Sequence, residues 1–136
     1  MSEMEYLLLA EYARLDAGLL TLAGGNFDNV VVPTIPGRLP VAIAGGVILD
    51  DNGAEADIQL TIEGPPGTFR IVTDQQFDLN KTPDPDLGPR RAVFAGRLLV
   101  PLVAYGVYSI HAQTGSGGGK VVRFRVAPPA PSSNEP

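Results

Sequence analysis

The stretch LLVPLVAYGVYSIHAQTGSGGGKVVRFRV, residues 98–126, decides the fold class of this chain. Apolar and polar residues alternate in 107–114 and again in 120–126, and a glycine-rich turn separates the two segments. Alternation with a period of two predicts strands, and a turn of this kind between two such segments predicts a hairpin. We therefore expect this stretch to close an antiparallel β-sheet.

Tyr108 stands two residues after Gly106, at the start of the first of these predicted strands. This spacing is typical of the tyrosine corner of immunoglobulin-like sandwiches, in which the phenol oxygen bonds to upstream backbone. Because successive side chains of a strand point to opposite faces, we also predict that Tyr108 and Ile110 are buried while His111 faces solvent.

Upstream of the hairpin, short apolar segments alternate with turn residues along most of the chain. The 16 glycines and 13 prolines are scattered, which predicts many short strands. Segment 5–13 also fits a helix, since Ser2 and Glu5 match a capping box, but its two apolar faces favour a strand. The pair Gly45-Gly46 predicts a bulge in a later strand. We predict an all-β, immunoglobulin-like antiparallel β-sandwich of about eight strands in Greek-key order.

The length of the chain predicts one domain. Its 136 residues are enough to bury a substantial core in a single unit. We assign residues 4–127 to the sandwich and expect residues 128–136 to form a disordered tail rich in proline and serine.

Composition excludes several classes of partner and chemistry. The 10 Lys and Arg residues are outnumbered by 15 Asp and Glu residues, so we predict no nucleic-acid partner, which would require cations. The chain has no cysteine, and hence no disulfide and no thiolate ligand. Neither a leader pattern nor a long apolar segment is present, so we predict no membrane association and a cytoplasmic location.

Two segments carry a resemblance to a known family: YLLLAEYARLDAGLLTLAGGNFDNV at 6–30 and VPLVAYGVYSIHAQ at 100–113. In these segments the chain resembles a family of small, single-domain bacterial proteins of unknown function. The resemblance implies one β-sandwich domain and no assigned activity, with structural roles for Gly24, Gly25, Phe27, Gly106 and Tyr108. It brings no catalytic residue.

The candidate catalytic motifs are each incomplete. TGSGGGK at 114–120 resembles a phosphate-binding loop, but Thr114 replaces its first glycine and a strand pattern follows it instead of a helix. Ser109 and His111 share a strand face, as the nucleophile and base of a hydrolase would, but no orienting acid is identifiable. We therefore predict no enzymatic activity, no catalytic residues and no cofactor.

Two sets of residues that contain aspartates are candidates for calcium binding. Asp50 and Asn52 resemble the start of a calcium loop that lacks its closing glutamate, and Asp78, Asp84 and Asp86 lie in a long polar loop. We expect turn formation and solvated charge at both places, and we assign no metal ligands.

Two segments contain more consecutive apolar residues than a buried face requires, which favours binding to a protein. The runs VVV at 30–32 and LLV at 98–100 exceed what one buried face needs, and sheet edges accept further strands. We predict a protein–protein interaction or assembly module, acting through a sheet edge or an apolar face on a protein partner or on itself. The alternative is a carbohydrate- or small-ligand-binding sandwich that uses the 78–90 loop, with or without calcium.

Overall fold

The structure, a computed structural model, describes residues 3–16, 19–48, 57–76, 86, 88, 91–114 and 119–130. The described residues form nine strands and no α-helix, where about eight strands are expected from the sequence. The strands are β1 (Glu3–Asp16), β2 (Leu19–Gly25), β3 (Asn29–Val31), β4 (Gly37–Ile48), β5 (Asp57–Glu63), β6 (Arg70–Gln76), β7 (Arg91–Leu102), β8 (Gly106–Thr114) and β9 (Gly119–Ala127). The prediction of an all-β chain is confirmed, and segment 5–13 is strand.

The strands form two sheets that pack together. Sheet A has the order β2-β1-β4-β7, and sheet B has the order β3-β9-β8-β5-β6. Neighbouring strands are antiparallel, with the exception of β3, which runs parallel to β9. The prediction of two packed sheets is thus confirmed.

Alternate side chains of the two sheets form one core. Sheet A contributes Leu7 and Leu9 from β1, Ile43 from β4 and Phe94 from β7, and sheet B contributes Leu60, Ile110 and Phe124. Phe27, which precedes β3, packs its ring edge-on against Phe124 with ring centroids 6.0 Å apart. Burying large apolar side chains between the layers is the main favourable term that holds such a sandwich together.

Tyr108 makes the predicted contact with upstream backbone. Its hydroxyl donates to the carbonyl oxygen of Ala104 at 2.6 Å and accepts from the N–H groups of Val103 at 3.2 Å and Ala104 at 3.3 Å. Its buried ring stacks on Phe124, with centroids 5.6 Å apart. The predicted burial of Tyr108 and Ile110 is confirmed, and His111 lies on the opposite face of β8 as predicted, but it is half-buried rather than fully open to solvent.

The prediction of a bulge at Gly45-Gly46 is wrong. The register between β4 and β7 runs without a shift through both glycines. The irregularity lies instead in β1, where the pairing with β4 shifts between Met4 and Tyr6.

Both glycines make room for aromatic rings of neighbouring strands. A Cβ on Gly45 would overlap the ring of Phe94 on the core face, and a Cβ on Gly46 would overlap the ring of Tyr6 on the outer face. A side chain at either position would therefore displace a ring, which explains the glycines without a bulge.

Sheet A is curled. Ala10, Ala42 and Ala44 are fully buried but lie outside the main core, because they alternate with core residues and face outward. Strands β2 and β7 come close to each other without pairing, although β1 and β4 lie between them in the order of the sheet.

The chain beyond β9 is exposed as far as the structure describes it. Residues 128–130 lie in no strand, and the other part of the predicted tail, 131–136, lies outside the described residues. None of the described residues belongs to a helix that is long and apolar enough to cross a membrane.

Candidate interaction surface

Most of the positions that the sequence singles out as candidates for calcium binding lie outside the described residues. These are Asp50, Asn52, Asp78 and Asp84, while Asp86 is described and exposed. In the described ranges, no three His, Asp or Glu side chains come close enough to hold a metal ion. The ligand-binding alternative, which depends on the 78–90 loop, therefore stays a prediction.

The hydrolase pair is placed on one face but is not joined. Ser109 and His111 both point outward from sheet B, opposite Arg123 and Val121 of β9. Among the described residues, no hydrogen bond connects the two side chains, and the imidazole of His111 lies against the backbone of Gly119. The glycine-rich residues 115–118 lie outside the described part of the chain.

The two apolar runs expose less surface than the sequence suggests. Val30 and Val32 pack on the core, and Leu98 and Val100 belong to it. Only the middle residues are well exposed, Val31 at 57% and Leu99 at 54%. A broad apolar face built from these two runs is therefore not present.

An open cavity of about 310 Å³ lies between β3 and the first half of β4. Phe27, Val30, Leu39 and Val41 line it, and among the described residues that do so Glu11 alone is charged. The strand ends that flank the 78–90 loop, at the end of β6 and the start of β7, lie at the other end of the sandwich. The cavity therefore does not belong to the predicted ligand loop.

Four strands in the described part of the chain are edge strands of a sheet, and three of them have features that discourage pairing with a further strand. Strand β7 has Arg91, Arg97 and Pro101, and β6 has Arg70 and Asp74. Strand β3 is only three residues long. Charge, proline and shortness are the usual means by which a sheet edge avoids adding another strand.

Strand β2 is the exception among these four edges. Its sequence, LLTLAGG, has neither a charged residue nor a proline over seven residues. Leu19 is 73% exposed, more than any other large hydrophobic side chain of the described chain. An apolar edge without such protection is the kind that pairs with another polypeptide strand.

Strand β2 belongs to a two-stranded arm. Strand β1 pairs with β4 only as far as Ala10, and from Tyr12 to Asp16 it pairs with β2 alone. We call residues 11–16 and 19–25 the arm; none of their side chains is fully buried. A two-stranded hairpin is only marginally stable in water by itself, so this arm gains most from further pairing.

The charges of the arm lie on β1. Arg14 and Asp16 form an ion pair at 3.5 Å, with both side chains well exposed. The sequence holds a signal for the uncharged edge, since 17–25 reads AGLLTLAGG. The composition alone does not identify this segment as the last strand of a sheet, because that depends on which strands become its neighbours.

Among the titratable side chains that the structure describes, Tyr6 on the outer face of β1 has a clearly shifted pKa. Burial raises the pKa of Tyr6 above its ordinary value of 10.0, and the negative charge of Glu5 raises it further. Glu5 in turn accepts from Arg91 at 3.2 Å. The folded state therefore keeps the Tyr6 proton at a pH where the unfolded chain has begun to release it.

We expect the release of this proton to lower the stability of the protein at high pH. Because the pKa of Tyr6 is raised in the folded state, its contribution is fully present below pH 10 and is lost as the pH rises through the folded-state pKa. Denaturant unfolding of native protein and Tyr6→Phe, measured from pH 8 to 11, checks this. The variant should lose less stability between pH 9.5 and 11, and an identical loss in both proteins would contradict the assignment.

Comparison with protein-family models, curated proteins and solved structures gave no match to this chain.

Proposed function

We propose that the protein is a non-enzymatic protein–protein interaction or assembly module, and that its contact surface is the free edge of β2. The observation that carries the proposal is the contrast among the four sheet edges of the described chain. Charge, proline or shortness protects β3, β6 and β7, whereas β2 has none of these. A partner strand on this edge would gain backbone hydrogen bonds along its length, which is how β-augmentation supplies affinity.

We also propose that the sandwich is immunoglobulin-like with Greek-key connections. Strands β4 and β7 are neighbours in sheet A although β5 and β6, which come between them in the chain, belong to sheet B. The Tyr108 hydroxyl, which is bonded to upstream backbone, supports the same assignment. The scaffold positions the arm at the edge of sheet A.

A cytoplasmic location and a bacterial origin complete the proposal. A chain without cysteine gains nothing from an oxidising compartment, which supports the cytoplasm. The bacterial origin rests on the resemblance of residues 6–30 and 100–113 alone.

The test is a charge placed on the β2 edge. Thr21 is exposed and lies directly opposite Arg14 of β1, so Thr21→Glu adds an edge charge that the arm's own arginine accommodates. We expect association, measured by light scattering over a range of concentrations against the 14.3 kDa monomer, to weaken at least about tenfold.

Val72→Glu is the matched control. It adds the same charge to an exposed position on β6, the edge strand of the other sheet. We expect its association to match that of the native protein. Equal weakening by both variants, or no weakening by Thr21→Glu, would contradict a specific role for the β2 edge.

A further inference from the structure

We infer that the strand received by the β2 edge is β2 of a second copy of this chain, paired antiparallel about a two-fold axis near Thr21. The inference rests on the proposed function and names its partner. A two-fold axis brings the same surface of both subunits together, so the edge must be complementary to an identical edge that runs in the opposite direction. The sequence of β2 meets that condition, because it contains no charge that would face an identical charge.

The leucines of β2 select the register. In β2, Leu20 and Leu22 lie on one face, and their partners on β1 are Leu15 and Ala13. An axis at Thr21 sets Leu20 of one copy against Leu22 of the other, and the reverse pair forms on the far side of the axis. Each of these two pairs, together with its partners on the two β1 strands, forms a row of apolar side chains across four strands. Such cross-strand apolar contacts stabilise a sheet.

The opposite face of the arm accepts the same register. Thr21 of one copy meets Thr21 of the other on the axis, with Arg14 of each copy beyond its own Thr21. Leu19 meets Ala23, which covers the most exposed leucine among the described residues. No like charges become directly opposed at any of these positions.

Other registers are less favourable. An axis at Leu22 would set Leu20 against Gly24, whose φ of 62° takes the backbone out of extended geometry. Gly24 thus ends the usable edge, and Leu19 to Ala23 remain, with Thr21 at their centre. Pairing two arms also turns a marginal two-stranded hairpin into a four-stranded sheet, which exceeds the three strands that independent stability needs.

Cysteine cross-linking tests this geometry in a chain that has no cysteine of its own. Under mild oxidation Thr21→Cys should form a disulfide with itself across the axis, since directly opposed residues have Cα separations that a disulfide spans. Leu19→Cys and Ala23→Cys should cross-link when the two variants are mixed and co-refolded, and each alone should cross-link far less. We expect about ten times more product at twice 14.3 kDa for Thr21→Cys than for Val72→Cys on the β6 edge.

The outcomes separate this inference from the proposed function. If Thr21→Glu abolishes association but Thr21→Cys and the Leu19→Cys with Ala23→Cys mixture do not cross-link, then the edge takes a different strand and the inference is wrong. Cross-linking of Leu19→Cys alone at the level of the mixture would likewise contradict the register. If native protein and Thr21→Glu are both monomeric at every concentration, self-association fails altogether.

Discussion

Replacing Tyr108 by phenylalanine is expected to lower the free energy of unfolding by roughly 2 kcal/mol. The change keeps the buried ring and its stacking on Phe124 but removes the hydroxyl that donates to Ala104 and accepts from the N–H groups of Val103 and Ala104. These backbone groups are partly buried, so losing their partner costs the desolvation that the hydroxyl offsets. Denaturant unfolding followed by circular dichroism measures the effect, which corresponds to a decrease in Tm of about 5–10 °C.

Tyr105→Phe is the control for this prediction. This substitution also removes a hydroxyl that hydrogen-bonds to the backbone. The Tyr105 hydroxyl donates to the carbonyl oxygen of Val32 at 3.0 Å, but this contact is exposed. Water replaces an exposed partner, so we expect a loss of about 0.5 kcal/mol. Equal losses in the two variants would show that the Tyr108 hydroxyl has no special structural role.

Local alternation predicts much of the fold. It correctly predicts the hairpin of β8 and β9, the buried faces of Tyr108 and Ile110, and the strand at 5–13. In each case the information lies within a few residues, because side chains of a strand change sides at every step. Tyr108 adds a second local signal, since its backbone partners stand only four and five residues upstream.

Features that depend on distant residues are not predicted. Ile71 pairs with the buried Ile62 and therefore lies on the same face of the sheet, yet it is 40% exposed because β6 is the last strand of its sheet. The parallel pairing of β3 with β9 joins residues at opposite ends of the chain and leaves no local pattern. Periodicity gives the face of a residue, whereas its exposure depends also on the neighbouring strands.

The same reason limits prediction of the candidate surface. The sequence indicates a sheet edge or an apolar face without choosing between them, and its apolar runs point to Val31 and Leu99. We propose the edge, because four strands end a sheet in the described chain and only β2 has neither charge, proline nor shortness to protect it. An uncharged segment becomes a candidate contact only when the fold leaves one of its sides unpaired.

Gly45→Ala is expected to lower the free energy of unfolding by roughly 2–3 kcal/mol. A Cβ at this position overlaps the buried ring of Phe94 and lies 2.9 Å from the carbonyl oxygen of Tyr6, so both a core side chain and the backbone of β1 would have to move. Alanine reduces the freedom of the unfolded chain, which offsets part of the loss but not most of it. Thermal and denaturant unfolding measure the change.

Gly46→Ala is the matched neighbour, and Phe94 supplies the rescue. The atoms nearest to the Cβ of Gly46→Ala all belong to the ring of Tyr6, which is half-exposed on the outer face and can swing toward solvent, so we expect a change within about 1 kcal/mol. Phe94→Leu removes the ring that obstructs position 45, and Gly45→Ala should therefore cost less in that background than in the native protein. If the two glycine variants lose equal stability, or if the effects of Gly45→Ala and Phe94→Leu simply add, then the close approach of Phe94 does not determine the need for glycine at position 45.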